Sequence, residues 1–173
     1  MNYADIKKID VANGPGVRVS IFVSGCNHHC KNCFNQETWD FNYGKEFTEE
    51  TIEEIIDALK PSHIKGLTLL GGEPFELANQ LGLLPLVRKV KEIYPNKKIW
   101  SYSGFLFDEQ ILGKMAKEHI YTQEFLTYID VLVDGKFVQA LYNPSLKFRG
   151  SSNQRIIDVQ KSLKENKIVI YAE

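Results

Sequence analysis

All three cysteines of the chain lie in one short segment, at positions 26, 30 and 33. Their spacing is C-x3-C-x2-C, and an apolar, strand-like stretch comes directly before them. Thiolates bind iron–sulfur clusters, and a [4Fe–4S] cube held by three thiolates keeps one iron without a protein ligand. Such an iron can bind a small molecule, as the open position of a catalytic metal site does. The spacing therefore predicts a cluster with one open corner, held by Cys26, Cys30 and Cys33.

Other uses of three neighbouring cysteines are less consistent with this segment. Cysteines that act as buried apolar residues do not gather in one glycine-preceded loop, and a disulfide would leave an odd thiol. The serious alternative is a zinc site with His28 or His29 as the fourth ligand. Zinc ligands usually come as two separated pairs, and the sequence has no second cysteine pair. The segment favours the cluster and leaves zinc open.

The bulk properties restrict the setting of this site. A length of 173 residues suits one domain, residues 1–173, with a substantial core. The formal charge of −1 gives no general attraction to nucleic acid or to an anionic membrane. No apolar run approaches the roughly 20 residues of a membrane-spanning helix, and the first residues lack the apolar segment of a signal peptide. We therefore expect a cytoplasmic protein with no nucleic-acid or membrane partner, in a reducing compartment that preserves thiolates.

Strand-like and helix-like segments alternate along the chain. Four apolar segments read as strands of a parallel sheet, at 17–24, 64–70, 98–103 and 129–134. Helices are expected after the N-cap Thr48, from about Leu83 with Pro85 near its start, and after the cap Asp108. Short terminal strands are expected at 156–159 and 168–171. This alternation predicts an α/β fold with a mostly parallel sheet and an open, partial (β/α) barrel, because the chain is shorter than the roughly 250 residues of a full barrel.

Glycine-rich or charged turns follow several of these strands. Gly71-Gly72-Glu73-Pro74 follows the second strand, and Asp134-Gly135-Lys136 follows the fourth. Ligands of parallel α/β sheets bind beyond the carboxyl ends of the strands, so both turns should share a rim with the cysteine loop. A further turn, Asn13-Gly14-Pro15-Gly16, precedes the first of these strands. It is expected to be a plain loop, or a loop that brings Arg18 near the cluster.

The cysteine loop resembles the cluster-binding motif of the radical S-adenosylmethionine (SAM) enzymes. Within that superfamily the chain is similar to the activases of anaerobic ribonucleoside-triphosphate reductases over nearly its whole length. The segments that carry this resemblance are 13–16, 24–33, 71–74, 133–137 and 148–154. One departure from the general superfamily pattern is Asn32, because an aromatic residue often precedes the third cysteine and here Phe34 follows it instead. The resemblance implies the open barrel of the radical SAM type.

The resemblance also implies roles for particular residues. The three cysteines would hold a [4Fe–4S] cluster whose free iron is chelated by the amino and carboxylate groups of SAM. Gly72 would contact the methionine amino group through its backbone, and backbone at Asn32, Cys33 and Phe34 would contact the adenine.

Three further side chains are implied on the methionine and ribose sides of SAM. Lys136 would pair with the SAM carboxylate, and Asp134 would support that lysine or a bound cation. Ser101 or Ser103 would reach the ribose.

The implied reaction is the activation of a protein substrate. A flavodoxin-like one-electron donor reduces the cluster, SAM is cleaved to methionine and a 5′-deoxyadenosyl radical, and that radical removes hydrogen from a glycine of the reductase. Part of the segment 148–155, with Arg149 and Arg155, is expected to dock the reductase. Two alternatives are another radical SAM enzyme, which acts on a different glycyl-radical enzyme or on a small molecule, and a non-catalytic zinc-binding interaction module.

Overall fold

The computed structural model describes residues 1–172. Seven strands form one sheet: β1 (Asn2–Asp10), β2 (Val17–Val23), β3 (Lys45–Glu46), β4 (Ile64–Gly71), β5 (Lys98–Ser103), β6 (Val131–Asp134) and β7 (Arg155–Asp158). Five α-helices accompany it: α1 (Glu49–Ala58), α2 (Leu77–Ile93), α3 (Ala116–Glu118), α4 (Ile120–Tyr128) and α5 (Val159–Glu165). A π-helical segment, Phe107–Met115, leads into α3. Within the described residues, no helix combines the length and apolar character that crossing a membrane requires.

The sheet is mixed, with the strand order β3-β1-β2-β4-β5-β6-β7. Its centre, β2-β4-β5-β6, is parallel, and β3, β1 and β7 join antiparallel. The predicted α/β class is confirmed, whereas a mostly parallel sheet describes only the four central strands. The physical reason lies in the connections, because parallel neighbours need a long crossover whereas antiparallel neighbours do not. The short connection after β1 and the return to β7, which contains a 3-10 turn at Gln139–Leu141 but no crossover α-helix, both produce antiparallel pairs.

The two faces of the sheet have different environments. Alternate residues of each strand point to opposite faces. Val19, Leu67, Ile99 and Leu132 lie in the main core, which the helices cover. On the other face Trp100, Val131 and Val133 form a smaller cluster with Phe148 and Tyr171. The helix layer therefore covers one face, and the second face is free to line a cavity.

The turn between β1 and β2 is held against the second face by a buried arginine. Arg18 is only 1% exposed. Its guanidinium donates to Thr68 Oγ1 at 2.9 Å and to the backbone oxygens of Pro15, Leu67 and Lys98 at 3.3, 3.1 and 2.6 Å. Thr68 in turn donates to the Asn13 carbonyl. Burial lowers the pKa of Arg18 to about 10, so the group remains charged at neutral pH. Arg18 thus closes the amino end of the strands and does not approach the cysteines.

Several helix boundaries differ from the sequence prediction. The helix α1 begins as expected after Thr48, whose hydroxyl and that of Thr51 form a capping box. The helix α2 begins at Leu77, so Pro85 lies in its interior and not near its start. Asp108 does not cap a helix, because it lies inside the π-helical segment, whose N-cap is Leu106.

The C-terminal prediction is also partly wrong. Helix α5 covers the basic stretch at 161–164, with Asp158 as its N-cap. Of the expected strand at 168–171, only a bridge between Ile170 and Ile157 forms.

Candidate functional site

A cavity of about 470 Å³ opens at the carboxyl ends of the four parallel strands. All three cysteines line it, together with Gly71, Gly72, Ser103, Gly104, Gly135 and Lys136. The loops after β2, β4, β5 and β6 therefore meet there, as expected for ligand sites in parallel sheets. The floor of the cavity includes Asn13, from the turn that Arg18 holds. The prediction that the cysteine loop and the Gly71-Gly72 turn share one rim is confirmed.

Backbone hydrogen bonds join the start of the cysteine loop to residues 38 and 39, which follow the loop in the chain. Gly25 N–H donates to Thr38 O at 2.7 Å, and Cys26 N–H donates to Trp39 O at 3.2 Å. Inside the loop, Cys33 N–H donates to Cys30 O at 3.2 Å. His29 and Asn32 adopt left-handed backbone conformations, with φ of 50° and 58°. These two positions curl the chain so that the three thiols point to one cavity.

The surroundings of Cys26 and Cys30 favour the protonated thiol. Burial raises the pKa of Cys26 to about 12, with a further contribution from the Glu73 carboxylate, against hydrogen bonds from the His28 and His29 backbone. Burial, and then the neighbouring Cys33, raise the pKa of Cys30. The Asn35 N–H lies 3.5 Å from Cys33 Sγ as a donor. Metal ligation therefore has to displace protons from these thiols.

The donor set fits a polynuclear group better than one ion. Across residues 1–172, no three His, Cys, Asp or Glu side chains are arranged to hold a single metal ion. His29 stacks on Trp39 with ring centroids 4.3 Å apart, and His28 contacts Glu73. The Glu73 contact uses Nε2 of His28, and the stacking covers one ring face of His29. Three thiols around a cavity suit a cluster that needs three protein ligands.

The Gly71-Gly72 turn packs directly against the cysteine loop. Gly72 N–H donates to Val23 O at 2.8 Å, and Glu73 N–H donates to Gly25 O at 2.8 Å. A Cβ at position 72 would lie 2.7 Å from the Gly25 carbonyl oxygen. Only glycine therefore permits this approach of two backbones. The Gly72 N–H is already used within the protein. A ligand's amino group is a donor, so at this residue it can be bound only by the carbonyl oxygen.

A buried carboxylate links three of the loops at the rim. Glu73 is 1% exposed. Its Oε1 lies 2.7 Å from His28 Nε2 and accepts from the Gly104 N–H at 2.7 Å, while Oε2 accepts from the Phe75 N–H at 2.8 Å. Glu73 thus connects the cysteine loop, its own turn and the loop after β5. Sequence reasoning left His28 unassigned, because the pairing depends on residues 45 positions apart.

Lys136 and Asp134 lie on different sides of the sheet. Lys136 lines the cavity. Asp134 is fully buried and accepts from the Arg155 guanidinium at 3.0 and 2.6 Å and from the Phe107 N–H at 2.8 Å. The expectation that Asp134 supports Lys136 is therefore wrong. The cause is the alternation of β6, which directs Val133 towards the cavity and its neighbour Asp134 away from it.

The serines of β5 are separated in the same way. Ser101 is fully buried and outside the cavity lining, and its hydroxyl donates to Tyr102 O at 3.3 Å. It shares the strand face of Ile99, in the helix-covered core. Ser103, at the end of the strand, lines the cavity. The ribose contact expected for Ser101 is thus available only to Ser103.

Tyr102 is a cavity residue that the sequence analysis did not select. Its side chain points to the second face of the sheet and lines the cavity. Burial raises the pKa of its phenol, and Tyr102 Oη has no hydrogen-bond partner among the described residues. Tyr102 follows Ser101 in β5, and neighbouring residues of a strand point to opposite faces, so this pattern could have identified Tyr102. The hydroxyl is thus a buried donor that the described residues leave without an acceptor.

Aromatic residues form one side of the cavity mouth. Phe34 is 66% exposed and packs against Phe137 and Tyr142, with ring centroids 5.0 and 6.0 Å away. Asn32 is exposed and does not line the cavity. Any adenine contact from position 32 is thus limited to the edge of the loop.

The segment 148–155 is a folded part of the site. Arg149 donates to the Gln154 carbonyl at 2.6 Å, and Gln154 Nε2 donates to Gly135 O at 3.0 Å. Arg155 bridges Asp134 and Asp108, and the hydrogen bond from Arg155 lowers the pKa of Asp108. Arg155 therefore stabilises the fold and is not a free docking residue.

Residues 12–157 match a protein-family model described as a 4Fe-4S single cluster domain. The matched region begins at the turn below the cavity and ends in β7, so it includes every strand that surrounds the site. The fold and the cysteine loop together define a 4Fe-4S single-cluster protein.

Relatives with the name anaerobic ribonucleoside-triphosphate reductase-activating protein align with most of the chain. The protein from Vibrio cholerae is 46% identical over 158 residues, which cover 90% of this chain and 97% of that protein. The protein from Escherichia coli K12 is 42% identical over 156 residues, with coverage of 89% and 96%. The protein from Enterobacteria phage T4 is 41% identical, with coverage of 90% and 93%. The chain belongs to the family of anaerobic ribonucleoside-triphosphate reductase-activating proteins.

Proposed function

We propose that this protein is a radical SAM activase that generates a glycyl radical on an anaerobic ribonucleoside-triphosphate reductase. The observation that carries the proposal is the convergence of three thiols and the Gly71-Gly72 turn on one cavity. Family membership supports the partner, since the relatives are named as activating proteins of that reductase. In this proposal residues 1–173 form one domain, the sheet is the open barrel of the radical SAM type, and the reaction takes place in the reducing cytoplasm.

Cys26, Cys30 and Cys33 are the proposed ligands of a [4Fe–4S] cluster. Three ligands leave one iron for the amino and carboxylate groups of SAM. The left-handed turns at His29 and Asn32 present the thiols to the cavity, and the Asn35 N–H stabilises charge on Cys33 Sγ. The protein supplies binding and orientation for this group.

Groups around the cavity are suited to the parts of SAM. The Gly72 carbonyl accepts from the methionine amino group, and the Lys136 ammonium pairs with the carboxylate. Backbone at Cys33 and Phe34 borders the adenine, and Ser103 reaches the ribose.

A reduced cluster held by Cys26, Cys30 and Cys33 would supply one electron to the sulfonium of SAM, which would give methionine and a 5′-deoxyadenosyl radical. That radical takes a hydrogen atom from a glycine of the reductase, so that 5′-deoxyadenosine leaves and an unpaired electron stays on the glycine. A flavodoxin-like donor restores the electron. The chain excludes water from the cavity through the aromatic side chains at its mouth, Phe34, Phe137 and Tyr142.

The test is anaerobic reconstitution with iron and sulfide, reduction, and addition of SAM. We expect bound iron and sulfide near four each per chain, as a [4Fe–4S] cluster requires, and formation of both methionine and 5′-deoxyadenosine. Single replacements of Cys26, Cys30 or Cys33 by alanine should abolish both products. The matched control is Ser162→Ala, a small buried residue away from the cavity.

Two results would contradict the proposal. One is a colourless protein that binds zinc stoichiometrically and never cleaves SAM, which would favour an interaction module. The other is SAM cleavage that never produces a glycyl radical signal on an anaerobic ribonucleoside-triphosphate reductase, which would favour another substrate.

A further inference from the structure

Two buried side-chain donors within residues 1–172 have no hydrogen-bond partner, Trp39 Nε1 and Tyr102 Oη. Both residues line the cavity of the candidate site. Buried polar groups nearly always have a partner, so each exception calls for an explanation. An indole N–H can only donate. Trp39 therefore lacks an acceptor that the described part of the chain does not supply.

Two contacts fix Trp39 against the cysteine loop. The Cys26 N–H donates to the Trp39 backbone oxygen at 3.2 Å. The indole stacks on the His29 ring, with centroids 4.3 Å apart and 8° between the planes. His29 lies between Cys26 and Cys30 in the chain. The indole is therefore held beside the segment that carries the thiols.

The turn that carries Trp39 already presents one donor to a thiol. It is the 3-10 turn Gln36–Trp39, which follows Asn35. The Asn35 N–H lies 3.5 Å from Cys33 Sγ as a donor, and the Gly25 N–H holds the turn through Thr38 O at 2.7 Å. The same turn thus places a backbone N–H and an unpartnered indole N–H beside the sulfur site.

We propose that the Trp39 indole N–H donates a hydrogen bond to a sulfur of the [4Fe–4S] cluster and raises the reduction potential of that cluster. The inference rests on the proposed function. A thiol is a weak acceptor, whereas a thiolate on iron and an inorganic sulfide carry negative charge and accept more strongly. Hydrogen bonds to the sulfurs are among the factors that determine the potential of such a centre. Because the reduced cluster is the more negative form, the N–H stabilises it more than the oxidised form.

The position of Trp39 favours sulfur over SAM as the acceptor. Its contacts are to Cys26 and His29, within the cysteine loop. The groups suited to the carboxylate and ribose of SAM, Lys136 and Ser103, stand at the ends of β6 and β5. A hydrogen bond to SAM would change the binding of SAM, whereas a hydrogen bond to sulfur changes the potential in the absence of SAM. The two acceptors can therefore be distinguished.

The first measurement is the reduction potential of the reconstituted cluster without SAM, in the wild type and in Trp39→Phe. Phenylalanine keeps a ring that can stack on His29 but has no N–H. We expect the equilibrium constant for reduction to fall roughly fivefold, which is a potential about 40 mV more negative at about 59 mV per tenfold change for one electron. The KM for SAM should stay at the wild-type value. The matched control is Trp100→Phe, the same change at a buried tryptophan outside the cavity lining, and it should keep the wild-type potential.

The second measurement needs no variant at Trp39. The wild type and Trp100→Phe are enriched with ¹⁵N at the indole nitrogens alone, and pulsed EPR spectra are recorded on the reduced cluster. We expect a ¹⁵N coupling to the cluster in both proteins, because Trp39 is the one of the two tryptophans that lines the cavity. If Trp39→Phe retains no cluster, the coupling in the wild type decides alone.

Three outcomes would overturn the inference. They are a wild-type potential in Trp39→Phe, an equal shift in Trp100→Phe, and a reduced wild-type cluster without ¹⁵N coupling. A higher KM for SAM in Trp39→Phe with an unchanged potential would assign the N–H to SAM instead. If the reconstituted protein holds a cluster but never cleaves SAM, the proposed function fails, and the potential and the ¹⁵N coupling still decide whether Trp39 donates to sulfur.

Discussion

The two ends of the parallel strands hold buried charge in different ways. At the amino end, Arg18 donates to Thr68 and to three backbone carbonyl oxygens, two of which belong to residues of β4 and β5. At the carboxyl end, Glu73 interacts with His28, Gly104 and Phe75, all of which lie outside the strands. The arginine therefore joins strands and closes the sheet, whereas the glutamate joins the loops that present the cysteines. The comparison indicates that stability is concentrated at one end and positioning of the site at the other.

Replacement of Arg18 by methionine should have the largest effect on stability. The carbonyl oxygens of Pro15, Leu67 and Lys98 would lose a donor inside the protein, and buried acceptors without partners are costly. We expect the free energy of unfolding to fall by about 3–5 kcal/mol, the upper end for a single substitution, because several buried acceptors lose their donor together. Urea unfolding measures this loss, with Lys65→Met as the control at an exposed lysine of the same end. Wild-type stability in the Arg18 variant would show that the stability of the fold does not depend on the Arg18 hydrogen bonds at the amino end of the strands.

Replacement of Glu73 by glutamine should affect the site more than the fold. The amide keeps the volume but loses the negative charge, and its NH₂ group faces N–H donors that it cannot accept from. We expect roughly a tenfold loss in kcat/KM for SAM, with a destabilisation of about 1–2 kcal/mol. Product assays and urea unfolding give the two values. A loss of stability as large as that of the Arg18 variant would erase the distinction between the two ends.

Tyr102→Phe tests whether the cavity uses its unpartnered phenol. An unpaired buried hydroxyl is unfavourable, so its removal should raise the free energy of unfolding by up to about 1 kcal/mol. If the phenol donates to bound SAM or to the glycine segment, KM should rise at the same time. Thermal unfolding and the KM for SAM are the measurements. A less stable variant would mean that the hydroxyl already has a partner in the free protein.

The smallest expected effect concerns acid stability. The Arg155 hydrogen bond holds the pKa of Asp108 below its usual value of 3.8. A carboxyl with a depressed folded-state pKa stabilises the protein above its unfolded pKa, and this contribution is lost as the pH falls through the folded value. Because Asp108 is 45% exposed, the effect should be under about 1 kcal/mol. Urea titrations of the wild type and Asp108→Asn should differ at pH 6 and should converge at a pH well below 3.8. An equal difference at both pH values would exclude this pairing.

The order of the four parallel strands and the location of the site were predictable from local patterns. Apolar strand segments, the Thr48 cap and the position of loops after strands are local signals, and the structure follows them. The start of α2 was not predictable in the same way. Pro85 suggested a first-turn position, but Asn79 donates to the Ser24 carbonyl oxygen and Gln80 Oε1 accepts from the Thr122 hydroxyl. These bonds join residues far apart in the chain, and they stabilise the earlier turns.

The same distinction between local patterns and long-range contacts applies to the functional side chains. The sequence alone determined that three thiols lie in one loop and that glycines allow the next loop to approach it, because both properties depend on residue type and near neighbours. Only the tertiary structure decided that Asp134 binds Arg155 and not Lys136, that Ser103 and not Ser101 reaches the cavity, and that Glu73 contacts His28. Those outcomes depend on which face of the sheet each side chain occupies and on contacts between residues far apart in the chain, and no local pattern encodes either.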